Sequence, residues 1–294
     1  MIRGQLSRTG SGGAVTVSVL LAGAAYAQMP STAGLSPRTS DTSIFAPLTF
    51  PPAPSATRLA NGAPGPKYWQ NRADYDLKAT LDTATRSLHG AMVLRYTNNS
   101  PDTLRVMWFQ TEQDPETIDR FDQVVGAKGV PLTWEHPRDS TGIMRDPFEV
   151  KVTLAKPLAP RRTATLRVAW HFPVPDRNTL RMGRRDGLYE MGQWYPRPNV
   201  YDDVKGWNTE SYSTNAEFYL DYGDYAAEVT VPADYIVAAT GTLDNPRAVL
   251  TPTEIARLKL AATADTIVHV ITAQELTSGA ARPAKSGTLT WKFH

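Results

Sequence analysis

The sequence predicts a mainly β protein: a large antiparallel saddle-like sheet or sandwich with one short helix near 252–262. Three observations predict this. From Asp74 onward, segments of polar–apolar alternation with a period of two recur along the chain. Clusters of Asn, Asp, Gly and Pro separate them at intervals suited to turns. A Thr capping box with Pro at the first helical position occurs in one stretch only.

The elements follow in order. Tyr75, Leu77, Ala79 and Leu81 face one way, and Asp74, Asp76, Lys78 and Thr80 the other. Leu88 to Tyr96 is a second strand, ended by the turn sequence Asn98-Asn99-Ser100-Pro101-Asp102. Leu104 to Gln110 is apolar on both faces and is expected to be buried. Phe148, Val150, Val152 and Leu154 alternate with Glu149, Lys151 and Thr153; Leu166, Val168 and Trp170 alternate with Arg167 and Ala169. Regular spacing of such strands argues for an antiparallel arrangement. Glu217 to Val231 reads as a long strand bent at Tyr222-Gly223-Asp224, and Tyr235 to Thr240 continues the pattern. Thr251-Pro252-Thr253-Glu254 is a capping box with Pro at the first helical position, so a helix should run to about Ala262. Asp265 to Thr272 and Gly287 to His294 return to β.

Composition narrows the function classes. Of 294 residues, 41% are hydrophobic, enough for a sizeable core and too many for a disordered chain. The 31 basic and 29 acidic residues nearly cancel, and no long basic run occurs, so no nucleic-acid partner is expected. Arg3 and Arg8, the apolar run Ala14 to Ala24 and the small-x-small Ala25-Tyr26-Ala27 form a secretory signal over 1–27. Residues 28–66, rich in Pro, Ser, Thr and Ala, read as a linker or loosely docked arm, and the folded domain as 67–294. Cys is absent, which excludes both a disulfide scaffold and a lipid-anchoring cysteine. No later segment approaches the roughly 18 apolar residues of a membrane span. The protein is therefore expected in the periplasm or outside the cell.

Catalytic motifs are scarce. The five histidines, His89, His136, His171, His269 and His294, form no H-E-x-x-H, H-x-x-x-H or H-x-H pattern, and His89 and His269 read as ordinary sheet residues. No G-x-S-x-G elbow, phosphate loop or dinucleotide fingerprint occurs. The most aromatic stretch, Leu188 to Tyr222, carries a Trp194-Tyr195-Pro196 turn, the acidic pair Asp202-Asp203, and Gly206-Trp207. Its aromatics Trp194, Tyr195, Tyr201, Trp207 and Tyr212 serve either loop packing or a carbohydrate platform. Asp202 and Asp203 either bind a cation or amine or cap a solvated turn. Glu190 and Gln193 flank the Trp-Tyr-Pro turn, where they are positioned to hydrogen-bond a ligand at its rim.

Several runs carry a resemblance: Tyr68-Trp69-Gln70-Asn71-Arg72-Ala73-Asp74-Tyr75, Tyr96-Thr97-Asn98-Asn99-Ser100-Pro101-Asp102-Thr103-Leu104, Gln193-Trp194-Tyr195-Pro196-Arg197, Tyr201-Asp202-Asp203, Gly206-Trp207-Asn208, Phe218-Tyr219-Leu220-Asp221-Tyr222-Gly223, and Val231 to Gly241. Together they resemble the N-terminal β domain of the gluzincin zinc aminopeptidases, the aminopeptidase N and leukotriene hydrolase type, in their bacterial exported branch. The resemblance covers Pro66 to the end. It implies a saddle-like antiparallel domain that packs on a thermolysin-like catalytic partner domain. That partner would carry zinc, H-E-x-x-H and a third Glu ligand, and would cleave N-terminal residues from peptides. None of those motifs lies in these 294 residues. The chain therefore reads as a fragment, a truncated gene product or one half of a split gene, inactive alone and without a cofactor of its own. The family's amine-binding Gln-x-Glu is not cleanly matched; Glu190 and Gln193, with Trp194 and Tyr195, are the nearest substrate-binding candidates. Two rivals remain open: a stand-alone secreted β-sandwich module that binds peptide or glycan, and a partner subunit that completes a separately encoded catalytic domain.

Overall fold

In a computed structural model, the described residues are 54–111, 121–138, 140–144, 148–176, 181–209, 219–284 and 286–294. The expected signal, most of the linker, and Tyr212 and Phe218 of the aromatic stretch lie outside them. The strands in chain order are β1 (Arg72–Asp82), β2 (Ser87–Asn98), β3 (Leu104–Gln110), β4 (Phe121–Val125), β5 (Trp134–Glu135), β6 (Glu149–Leu158), β7 (Arg162–Pro173), β8 (Met182–Arg185), β9 (Leu188–Met191), β10 (Arg197–Pro198), β11 (Tyr201–Asp202), β12 (Gly206–Trp207) and β13 (Tyr225–Pro232). Helices α1 (Pro246–Val249), α2 (Pro252–Ala261) and α3 (Ala273–Ser278) follow, and β14 (Thr288–Phe293) closes the order.

Two sheets share one core. The larger has six strands in the order β14-β13-β1-β2-β7-β4, the smaller four in the order β10-β3-β6-β5. The inward residues of β1 are those the alternation predicts, Tyr75, Leu77, Ala79 and Leu81, all buried. Leu94 and Tyr96 of β2, Met107 and Phe109 of β3, Val152 of β6, and Leu166 and Phe172 of β7 fill the space between the sheets. Phe109 meets Phe121 edge-to-face at 6.3 Å. Burial of such side chains contributes about 1.5–3 kcal/mol each. The outer face of the large sheet instead carries cross-strand polar pairs. Glu228 bridges Lys78 at 3.3 Å and Lys292 at 2.8 Å, Arg95 pairs with Asp76, and Thr97 meets Thr163 at 2.9 Å. Exposed pairs of this kind contribute at most about 1 kcal/mol, so the shared core dominates stability.

The mainly β, mostly antiparallel expectation matches the structure, with local corrections. β1 and β13 run parallel, Tyr75 opposite Tyr225 through Thr80 opposite Thr230. Residues 219–224 are not strand. At the expected bend, a Cβ on Gly223 would lie 1.6 Å from the Ala73 carbonyl oxygen, so only glycine permits this backbone approach. In Leu104–Gln110, Leu104, Met107, Phe109 and Gln110 are buried, Val106 and Trp108 are half-buried, and Arg105 alone is exposed. Three helices occur among the described residues where the sequence signalled one. Thr251 accepts from Glu254 N while the Glu254 carboxylate accepts from Thr251 N at 2.7 Å, the expected capping box. Thr272 and Glu275 repeat that arrangement at α3, within a segment whose approach read as strand. Asp265–Thr272 has a β-like alternation but no sheet edge to join. Beside β14, Thr242 N donates to His294 O and Asp244 N to Lys292 O, so that edge is already occupied. Tyr235–Thr240 likewise leaves the sheet after Tyr235 N turns back to Pro232 O.

The part of the Pro-rich stretch that is described, 54–66, docks on the β body. Arg58 makes a forked contact with Asp203, its Nε donating to both carboxylate oxygens at 3.0 Å.

Candidate site on the aromatic stretch

The aromatic stretch begins as a hairpin. β8 and β9 pair antiparallel around Asp186-Gly187, whose φ values of 51° and 82° are those of a type I′ turn. Glu190 lies opposite Gly183 in this hairpin, with an exposed side chain. Gly192 N then donates to Arg181 O at 2.8 Å, and Gln193 takes the left-handed conformation at φ 53°. That turn re-aims the chain inward. Trp194 packs at 6.1 Å from Trp170, whose indole N–H donates to the Trp194 carbonyl at 2.9 Å. Tyr195 meets Trp194 edge-on at 5.2 Å and Tyr75 at 5.6 Å, and Tyr75 stacks on Tyr225 at 4.6 Å. Burial and the neighbouring Tyr225 push the Tyr195 phenol well up. The structure thus brings Trp194 and Tyr195 together as packing against the large sheet, with Gln193 half-buried beside them and Glu190 out on the hairpin.

The next residues are pinned. Arg197 and Pro198 pair with Gln110 and Phe109 of β3 and are buried. Asn199 donates to Glu149 at 2.7 Å and to the Asn208 carbonyl at 2.8 Å. Glu149, an outward residue by alternation, is only 1% exposed. Its buried partner on a distant loop could not be read from a period of two.

Beyond Val200 the character changes. β11 and β12 form a small hairpin in which Asp202 Oδ1 accepts from Val204 N at 2.9 Å and Lys205 N at 2.8 Å, capping the turn. Asp203 is engaged by Arg58. Burial, the largest single influence, opposes its ionisation, but the hydrogen bonds from Arg58 and Thr57 and the charge of Arg58 together outweigh it and hold the carboxyl below the usual range. Of the two sequence readings of this pair, turn capping and ion pairing are what the geometry uses. Tyr201 stacks on Trp69 at 6.0 Å, meets Trp207 edge-on at 5.3 Å, and donates its hydroxyl to Asp102 at 2.9 Å. Burial and Asp102 push the Tyr201 phenol up to about 12. Asn71 ties this cluster to the sheet, donating to Tyr96 Oη at 2.9 Å and accepting from Asn99 N at 2.7 Å.

Asp221 is the residue sequence reasoning passed over as a site candidate. Its Oδ2 is buried with no hydrogen-bond partner. Burial, then the charge of nearby Asp202, raises its carboxyl to about 7. Tyr219, 47% exposed, donates to the other oxygen of Asp202 at 3.3 Å. The only signal in the sequence was an Asp at an inward position between two tyrosines. Chemically the cluster offers a carboxyl poised between acid and anion beside exposed aromatic rings. It offers neither an activated nucleophile nor a base paired with one. Among the described residues no group of three or more His, Cys, Asp or Glu side chains is arranged to hold a metal ion, so the described residues do not form a catalytic zinc site. No described helix is long and apolar enough to cross a membrane.

No family model matches the chain. No curated protein matches it either. Among solved structures, the M1 zinc metallopeptidase from Deinococcus radiodurans is 17% identical at a TM-score of 0.37, covering 76% of this chain and 38% of its own. A two-domain M1 zinc metallopeptidase mutant bound to L-tryptophan gives 16% identity and a TM-score of 0.35, over 79% of this chain and 40% of its own. Yeast LTA4 hydrolase in complex with bestatin gives 11% and 0.31, over 59% and 25%. The chain thus spans two-fifths or less of the length of these structures. None superposes closely enough for residue-by-residue transfer.

Proposed function

We propose that this chain is the exported, non-catalytic N-terminal β domain of a zinc metallo-aminopeptidase, whose whole protein removes N-terminal residues from peptides. The observation that carries the reading is that sequence runs far apart in the chain, which together carry the resemblance, touch one another. Trp69 stacks on Tyr201, Asn71 reaches Tyr96 and the Tyr201 carbonyl, Tyr96 stacks at 6.1 Å on Trp207, and Ala73 N donates to Tyr222 O at 3.1 Å. A motif set that builds one joint supports a shared ancestry better than scattered matches do. In this reading the zinc and its H-E-x-x-H come from another segment or polypeptide. Glu190 and Gln193, beside Trp194 and Tyr195, meet the α-ammonium of the substrate through a charge-assisted bond. Export rests on the signal-like residues 1–27.

Purified residues 28–294 supplied with zinc should release no N-terminal amino acid from peptide substrates. Chelator-sensitive turnover by this chain alone would overturn the non-catalytic assignment. Reading the coding sequence downstream of His294 tests the parentage: an open frame that reaches H-E-x-x-H and a third Glu supports it. A stop with no such motif nearby sinks it. A second reading, a stand-alone peptide-binding module, is favoured by one observation, the exposed Tyr219 and Tyr222 flanking the uncompensated Asp221. Binding of a peptide amine there should lower the Asp221 pKa, and a carbon-13 carboxyl titration with and without peptide reads it directly.

A further inference from the structure

Residues 55–66, which precede β1, form a loop that closes largely on itself. Leu59 N donates to Ala63 O at 2.9 Å, Gly65 N to Thr57 O at 2.8 Å and Lys67 N to Ala56 O at 2.9 Å. Its link to the body of the fold converges on one carboxylate. Arg58 Nε donates to both oxygens of Asp203 at 3.0 Å, and Arg58 Nη2 lies 2.9 Å from Oδ1. Among the described residues, the two side chains that engage Asp203 are Arg58 and Thr57, and both belong to the loop. The Asp203 side chain is 10% exposed and that of Arg58 29%. The Arg58 guanidinium also lies over the Tyr68 ring, 5.6 Å from its centroid. Exposed Tyr219, which donates to Asp202, stands close enough to act on the Arg58 charge. A planar cation is thus held by a carboxylate fork and an aromatic face, the geometry in which arginine is read at interfaces.

We propose that Asp203, Tyr68 and Tyr219 form a guanidinium-binding notch for an arginine side chain of a peptide, and that Arg58 is its tethered occupant, a latch that such an arginine displaces. The chemistry follows from the arrangement. When the loop lifts, Asp203 loses Arg58 and Thr57 together, and its charge is left next to Asp202, which itself feels the charge of Asp221. A carboxylate low in exposure and stripped of its cation gains by taking up another. Arginine suits the notch better than lysine, because only the guanidinium makes both the fork and the stack. A partly exposed ion pair is weak enough to exchange, and the tethered competitor lowers the apparent affinity by the fraction of time it is seated. The notch takes a side chain rather than a peptide's α-ammonium, so it does not rest on the aminopeptidase reading or on Glu190 and Gln193.

The test is a titration of the full chain with N-acetyl-argininamide, followed by nuclear magnetic resonance, in the parent and in R58A, with N-acetyl-lysinamide alongside. The blocked α-amine keeps both probes off any site for a peptide N-terminus. R58A should bind the arginine probe about fivefold or more tightly than the parent, because the tethered competitor is gone. Adding D203N to R58A should weaken that binding at least about tenfold. The lysine probe should bind R58A more weakly than the arginine probe does. Circular dichroism checks that each variant folds. A further readout needs no variant: saturating arginine probe should speed chymotrypsin cleavage of the parent after exposed Leu59, since the latch must open for the probe to seat. No gain of affinity in R58A would overturn the proposal. So would binding that survives D203N, a lysine probe that binds as tightly, or a cleavage rate unchanged at saturation.

Discussion

The two halves of the aromatic stretch differ in what surrounds their rings. Around Trp194 and Tyr195 the neighbours are Trp170, Tyr75 and Tyr225, and the principal polar demand, the Trp170 indole N–H, is met by a backbone carbonyl. Around Tyr201 and Trp207 the rings share their space with Asp102, Asp202, Asp203 and Asp221. The first half behaves as core that happens to lie in a loop. The second keeps carboxylates at a half-wet surface, where Tyr201, the turn amides and Arg58 engage Asp102, Asp202 and Asp203 and Asp221 Oδ2 has no hydrogen-bond partner. Aromatic density alone therefore does not mark a binding surface, because half of it here packs as core.

The sharpest way to break the comparison is at its dry end. Trp170→Ala removes the indole under Trp194 and leaves a cavity between that loop and β7. Chemical denaturation should record a loss of about 3–5 kcal/mol, the range for large aromatic truncations. A loss below about 1 kcal/mol would mean that the Trp194 half is surface rather than core.

The wet end should instead respond to pH. The Asp221 carboxyl stands at about 7 in the folded chain against an ordinary 3.8. An acid with a raised folded pKa binds more protons folded than unfolded between those values. Its contribution is thus intact below about pH 4, is lost as pH rises toward 7, and stays lost above. At about 1.4 kcal/mol per pKa unit, a rise of about 3 units spans at most roughly 4 kcal/mol. Asp221→Asn should raise Tm at pH 8 and leave it nearly unchanged at pH 4. Equal effects at both pH values would show that Asp221 is compensated in solution. The smallest effect is expected where the wet half holds the arm. Arg58→Ala releases a partly exposed ion pair and should cost about 0.2–1 kcal/mol. The same change should make residues 54–66 more sensitive to protease, and an unchanged cleavage pattern would mean that other contacts hold them.

Much of this was legible in the residues themselves. The alternation in β1 and β7 named the inward side chains correctly, because one buried face imposes a period of two wherever the sheet sits. Thr251-Pro252-Thr253-Glu254 identified α2, because a capping box closes within one turn of chain. The same Thr-x-x-Glu spacing stands at Thr272 and Glu275 and starts α3, where the alternation up to Thr272 reads as strand. Glu190, Gln193, Trp194 and Tyr195 were legible as a cluster in sequence; how deep each sits was not.

Sequence by itself determined the long strands β1, β2 and β7, the two faces of β1 and β7, the helix α2 and the turn at Asn98–Asp102, all set by interactions within a few residues. Tertiary structure alone decided the pairings between distant strands. These include the parallel β1–β13 pair, the His89–His171 register, the Glu149–Asn199 bond and the burial of Asp221 beside Asp202. The physical reason is that local periodicity fixes which way a side chain points. What it meets there depends on which remote segment arrives on that face, and that is settled only when the competing edges and cores of the whole chain are satisfied together.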